Sequence, residues 1–279
     1  MCVTCGASLH GAYCHQCGER VVQPSDLRLA RFLVETVSAT FDLDSRPWRT
    51  LRTMIRRPGR LTTDYVRGHR RPYLSPLQTF LLANLVFFVS LGTIGGVDAF
   101  TTRLEVHETQ PLYGRTAARL AAEQGATGSA ERAAYERRFD EASPRYANSL
   151  VILLVPLYAL GLALLYAAAR RPAAVHVVHS LYFIAAVLLL MAVLPVALLL
   201  PMALSPWLRD FLTQSELPVT LLVLVILWGY LGMSLREAYG TAPVRAAIAG
   251  LLGVLLLAPV IILYRAMLFF VVHLAVAGS

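Results

Sequence analysis

From residue 77 onward the apolar positions of this chain gather into five long runs, 77–97, 150–169, 181–204, 217–235 and 246–276. A helix needs about 20 predominantly apolar residues to cross roughly 30 Å of hydrocarbon. None of the runs alternates strictly between polar and apolar, so helices rather than barrel strands are predicted. The pattern predicts an all-α polytopic membrane protein with about five transmembrane helices. Residues 98–148 break the series. They mix Arg and Glu with Ala and predict an outer loop of one or two short, solvated helices, broken near Gly125 to Ser129.

A different periodicity precedes the first run. Leu27, Ala30, Val34, Val37 and Phe41 recur at three- and four-residue steps after Ser25 or Asp26, either of which suits a helix N-cap. A second short helix is predicted over 47–57, with Trp48, Leu51 and Ile55 on one side and Arg49, Arg52, Arg56 and Arg57 elsewhere. Pro58-Gly59 ends it, a third segment runs over 61–67, and Gly68 stops that one. Residues 25–75 thus read as basic amphipathic juxtamembrane helices, and 76–279 as the transmembrane domain.

Composition agrees with the pattern. Of 279 residues, 57% are hydrophobic and 15% charged, with a mean hydropathy of +0.58. These values exclude an ordinary soluble domain, a disordered chain and a small disulfide-stapled fold. The net charge is +8, and all 25 basic residues are Arg. Residues 1–75 hold 12 Arg against 6 acids, whereas 98–148 hold 7 Arg against 8 acids. Arg beside a span is held in the cytosol during insertion, which predicts a cytoplasmic N-terminus, 98–148 outside and, with five spans, an outer C-terminus. The first apolar run begins so late that no secretory signal is expected. Arg56, Arg57, Arg60, Arg70 and Arg71 form a surface suited to anionic lipid. Nucleic acid is disfavoured, because no aromatic and basic single-strand platform is evident.

All four cysteines fall in the first 17 residues, as Cys2-x-x-Cys5-Gly6 and Cys14-x-x-Cys17-Gly18. Each CxxC can form a tight knuckle whose two thiolates face one metal, and the following Gly lets the backbone turn amides toward sulfur. Two knuckles make a tetrahedral four-thiolate site, so residues 1–20 read as a zinc ribbon with Cys2, Cys5, Cys14 and Cys17 as ligands to Zn²⁺. The segment is too short to bury a core, and metal must supply its folding energy. Disulfides conflict with a cytoplasmic N-terminus. An iron site of rubredoxin type uses similar knuckles and remains open. His10 and His15 are expected to be spectators. A complete ligand set leaves no open position, so no catalysis is expected at this metal.

The chain resembles an uncharacterised bacterial membrane-protein family, domain of unknown function 3667. The resemblance rests on the double knuckle ending in Cys17-Gly18 and on Thr50-Leu51, Pro58-Gly59, Tyr65, Gly68, Arg70, Tyr73 and Pro76, spaced T-L-x6-P-G-x5-Y-x2-G-x-R-x2-Y-x2-P. Weaker echoes occur at 176–183, 236–239 and 264–265. In the family the 176 region opens with Glu-His and carries a further His, where this chain has Val175 and Tyr182. The resemblance implies a zinc-bearing protein of a bacterial inner membrane, and no reaction.

Polar residues in the spans offer fewer leads. His176 and His179, one turn apart, can bind metal or relay a proton, although interfacial histidines are the simpler reading. Gln78, Asn84 and Ser90 suit interhelical hydrogen bonds. Ala246, Ala249, Gly250 and Gly253 have the small-residue spacing of close helix packing. The last run is 31 residues long and contains Pro259 and Arg265. It reads either as one tilted helix with Arg265 facing the bundle, or as a span ending near Tyr264 with 267–277 lying along the membrane. The leading functional expectation is a non-enzymatic membrane-anchored adaptor, able to oligomerise, whose ribbon meets an unknown cytosolic protein. The alternative is a transporter or flippase-like protein using Pro195, Pro201, Pro259 and Arg265. A lipid-directed enzyme with His176 and His179 at the interface is a third reading.

Overall fold

A computed structural model describes residues 1–9, 11–19, 46–94, 100, 102–124, 128–207, 210, 212 and 217–277. The helix expected over 25–41 lies outside these residues, as does His10. Among the described residues the chain is helical and forms no β-strand. Eleven α-helices follow the paired knuckles among the described residues: α1 (Arg46–Arg56), α2 (Arg60–Arg67), α3 (Pro76–Ile94), α4 (Leu104–Glu108), α5 (Gly114–Gln124), α6 (Ser129–Leu150), α7 (Leu154–Leu165), α8 (Ala173–Leu204), α9 (Leu217–Tyr239), α10 (Pro243–Leu255) and α11 (Leu257–Ala277).

Among the described residues, five helical stretches are long and apolar enough to cross a membrane: Pro76–Thr93, Ser129–Leu165, Ala173–Leu204, Leu217–Tyr239 and Pro243–Ala277. They suit a multi-pass membrane protein. Helix α3 packs along α8, α7 along α8, and α9 against α10. The α9–α10 crossing explains the small residues. A Cβ on Gly250 would lie 2.9 Å from the Gly232 Cα, and one on Gly253 would run into Leu231. The small-residue face is therefore used inside the chain.

Three stretches outrun a bilayer, the 32-residue Ala173–Leu204 and two longer ones. Ser129–Leu165 has 37 residues and Pro243–Ala277 has 35, or roughly 50–55 Å each at 1.5 Å per residue against about 30 Å of hydrocarbon. The last stretch turns at Leu256, between α10 and α11. Pro259 has no N–H for the carbonyl four residues back, so the ladder is interrupted there, and it sits in the first turn of α11 where the loss is harmless. Helix α11 then runs unbroken through Arg265 to Ala277, packed along α6. Residues 267–277 therefore belong to a continuous helix packed along α6.

The overhang carries a folded cap. Where the sequence predicts short solvated helices, the structure has α4, α5 and a 22-residue α6 that feeds into the second span. Tyr135, Phe139, Ser143 and Ala147 recur every four residues on the buried face of α6, and Tyr264, Leu268, Phe269, Val272, His273 and Val276 answer from α11. Phe269 lies at the centre of this core, its ring 5.5 Å from His107, 5.7 Å from Phe139 and stacked 5.7 Å from His273. His107 Nδ1 lies 2.7 Å from the Tyr113 hydroxyl, and the Tyr135 hydroxyl lies 2.7 Å from His273 Nδ1. The sequence hid this core because its apolar residues are few per helix and are interleaved with charges. Only the partner helix α11, read as a span, completes it.

At the opposite end, α2 packs against α8 and α9, and α1 packs against α2. Thr63 Oγ1 donates to the Glu237 carbonyl at 3.1 Å. Gly59 has φ 87, and a Cβ there would meet the Ser234 carbonyl at 2.2 Å. The chain crosses α9 in backbone-to-backbone contact that only glycine permits.

Candidate metal centre

The two knuckles are built alike. In the first, the Gly6 amide donates to the Cys2 carbonyl at 3.0 Å and the Cys2 amide to the Ala7 carbonyl at 2.8 Å. In the second, Gly18 donates to Cys14 at 2.8 Å and Cys14 to Glu19 at 2.7 Å. Each pattern recurs at an offset of twelve residues, and both turns close on a left-handed glycine, φ 76 at Gly6 and φ 64 at Gly18. Thr4 ties the knuckles together by donating to Glu19 Oε2 at 2.7 Å.

The four Sγ atoms lie within 4.8 Å of one another. Cys2 and Cys17 are 3.5 Å apart, as are Cys5 and Cys14, so the thiols are free rather than bridged. A tetrahedron of bonds near 2.3 Å places sulfurs about 3.8 Å apart, and the cluster fits that size. The electrostatics also call for a cation. The Cys17 and Gln16 backbone amides bring the Cys14 thiol down to about 6 against the cost of burial. Cys17 receives the Glu19 amide, which pulls it down, yet desolvation and the Cys2, Cys5 and Cys14 thiols hold it up at about 12. One thiolate forms readily and the last does not, because four negative sulfurs need a positive centre between them. His15 is exposed and stands apart from this set.

The knuckles meet the helical body through Arg71. Its Nη1 donates to the Cys17 carbonyl, and its guanidinium fills the space where a Cβ on Gly18 would stand. Arg71 belongs to the linker between α2 and α3. Within that region Arg60 Nε pairs with the buried carboxylate of Asp64 at 3.0 Å, and His69 Nδ1 lies 3.7 Å from the same oxygen. Asp64 raises the Arg60 guanidinium above its ordinary value. Arg70 sits 4.3 Å over the Tyr65 ring and donates to the Tyr65 carbonyl at 3.2 Å. Thr50 Oγ1 donates to Arg46 at 2.8 Å and accepts the Leu74 amide at 2.9 Å. Residues 44–88 match the family described as Protein of unknown function (DUF3667). No curated protein and no solved structure matches the chain.

The matched segment thus has a physical reading. Its Gly59 and Gly68 cap α2, Pro76 begins α3, and Thr50, Tyr65 and Arg70 make the contacts that hold the segment together. Gly68, at φ 94, ends α2 in the left-handed conformation and hands its amide to Asp64 and Tyr65. Of the five arginines expected to face lipid, Arg60, Arg70 and Arg71 have these intramolecular partners, while Arg56 and Arg57 are exposed.

His176 and His179 are both buried, and each finds a partner on α9. His176 Nδ1 lies 2.8 Å from the Tyr239 hydroxyl, and His179 Nε2 lies 3.0 Å from Ser234 Oγ. Tyr239 also stacks on Tyr166 at 4.2 Å, and its carbonyl accepts from Arg171 at 3.3 Å. The sequence singled out the two histidines, and Tyr239 as part of the 236–239 echo, but not Ser234 or Asp64. A lone Ser near a span end carries no signal until the fold sets it opposite its partner. Tyr182 donates its hydroxyl to the Leu74 carbonyl at 3.1 Å. At the cap, Arg265 is half-buried and its charge reaches His107 and Tyr113.

Proposed function

We propose that this chain is a membrane-anchored adaptor of a bacterial inner membrane, with a closed Zn²⁺ site on the cytoplasmic side that presents a folded surface to a cytosolic protein. The observation that carries the reading is the convergence of four sulfurs within 4.8 Å on two knuckles joined through Arg71 to a segment docked on the span ends. Zinc suits a four-thiolate tetrahedron that has no open position, and such a site organises backbone rather than performing chemistry. Metal supplies the folding energy that nineteen residues without a core lack. The cytoplasmic placement is supported by the arginine excess before the first span.

The reading is tested by cross-linking in native membranes, comparing wild type with Cys5→Ser and measuring bound metal in parallel. Wild type is expected to carry about one zinc per chain and to capture a partner that Cys5→Ser loses. Equal capture of the same proteins by both would remove the basis of the adaptor assignment.

A further inference from the structure

Helix α1 docks on the body through one narrow face. Its buried residues are Thr50 and Met54. Trp48 and Ile55 stay 69% and 67% exposed, with half-buried Leu51 between them and Arg52 and Arg56 exposed beside them. At 100° per residue these positions form three sectors around the helix. The docked face of Thr50 and Met54 lies to one side of the Trp48, Leu51 and Ile55 stripe, and the Arg52 and Arg56 stripe lies to the other.

The depth of α1 is set by hydrogen bonds. Thr50, in the middle of α1, accepts the Leu74 amide at 2.9 Å, two residues before α3 begins at Pro76. The Leu74 carbonyl accepts from Tyr182 at 3.1 Å, where the apolar run of α8 begins. Gly59, three residues after α1, rests on Ser234, where the apolar part of α9 ends. Three separate spans thus meet near one level, and α1 is tied to that level through Thr50.

We infer that α1 is an interfacial helix that seats Trp48 and Ile55 in the adjacent leaflet and holds anionic phospholipid headgroups with Arg52 and Arg56. Tryptophan is favoured at this depth because its ring is apolar and its N–H polar. A guanidinium presents a planar fork to phosphate oxygens. A protein partner on this face would have to bind at the level of the membrane surface and displace lipid. The inference is independent of the metal site and stands if that reading fails.

The test uses the full chain, reconstituted into bilayers containing brominated phosphatidylglycerol or brominated phosphatidylcholine. The chain has three tryptophans, so Trp207→Phe with Trp228→Phe leaves Trp48 as the reporter. Where that variant folds poorly, the difference between wild-type and Trp48→Phe emission gives the same signal in an otherwise native protein. Bromolipid is expected to quench Trp48, more strongly from phosphatidylglycerol than from phosphatidylcholine. Arg52→Gln with Arg56→Gln should reduce that preference, by roughly fivefold in local anionic lipid for each arginine. Quenching of Trp48 by aqueous iodide and not by bromolipid would overturn the interfacial placement. Equal quenching by the two lipids would overturn the anionic headgroup assignment.

Discussion

The molecule carries a folded unit at each end of its spans, and the two units are organised by different physics. The knuckle pair has four convergent sulfurs and no apolar core, and its order comes from turn hydrogen bonds that aim thiols at one point. The cap has aromatic rings and histidines packed around Phe269 and closed by a helix that begins as a membrane span. One unit is legible as a local motif, and the other exists only in three dimensions. The difference teaches that a short polar segment between spans can hold a core when the span itself supplies half of it.

Metal removal should separate the two ends most sharply. Chelation is expected to withdraw roughly 10 kcal/mol of local folding free energy from residues 1–19 and to leave the cap unchanged. Amide exchange measured region by region checks this, with collapse of protection in both units as the contrary result. Phe269→Ala should do the reverse. Truncating a buried ring of this kind costs about 3–5 kcal/mol, which is expected to speed exchange in α4 and α5 while bound metal stays constant.

A third difference is in pH response. Burial, together with the Arg265 charge, lowers His107 to about 4 from its ordinary 6.5. The unfolded cap therefore binds a proton more readily than the folded cap between those values. The stability is present above pH 6.5 and is lost as pH falls through 4, by about 3 kcal/mol in all. Thermal unfolding of the cap followed from pH 7 to 4 should show this decline, and His107→Phe should flatten it. The smallest expected effect is at the other end. Thr50→Val leaves the buried Leu74 amide without its acceptor and should cost about 1–2 kcal/mol. Faster exchange at Leu74, with the cap unaffected, is the reading that checks it.

Much of this was legible in the sequence. The five runs marked the five helical stretches long and apolar enough to cross a membrane, and the CxxCG pairs marked the four cysteines that converge, because both signals are local and repeat at fixed spacing. The spaced motif from Thr50 to Pro76 was visible as a pattern, but its meaning was not. Gly59 needs Ser234 opposite it, and Thr50 needs Leu74, so the reason for each residue lies in a contact the order of residues does not display. The cap escaped for the same reason, since Tyr135 and Phe139 read as isolated aromatics among charges until α11 covers them. Trp48 and Ile55 were read correctly as one stripe, but the structure adds that the helix docks through Thr50 and Met54 and leaves that stripe outward.

The central claim is a closed four-thiolate zinc site. Zinc-edge X-ray absorption on the full-length protein in membranes tests it most directly. The account predicts a single shell of four sulfurs at about 2.3 Å and no nitrogen or oxygen ligand. A shell containing light atoms, or cysteines found as disulfides without zinc, would contradict it.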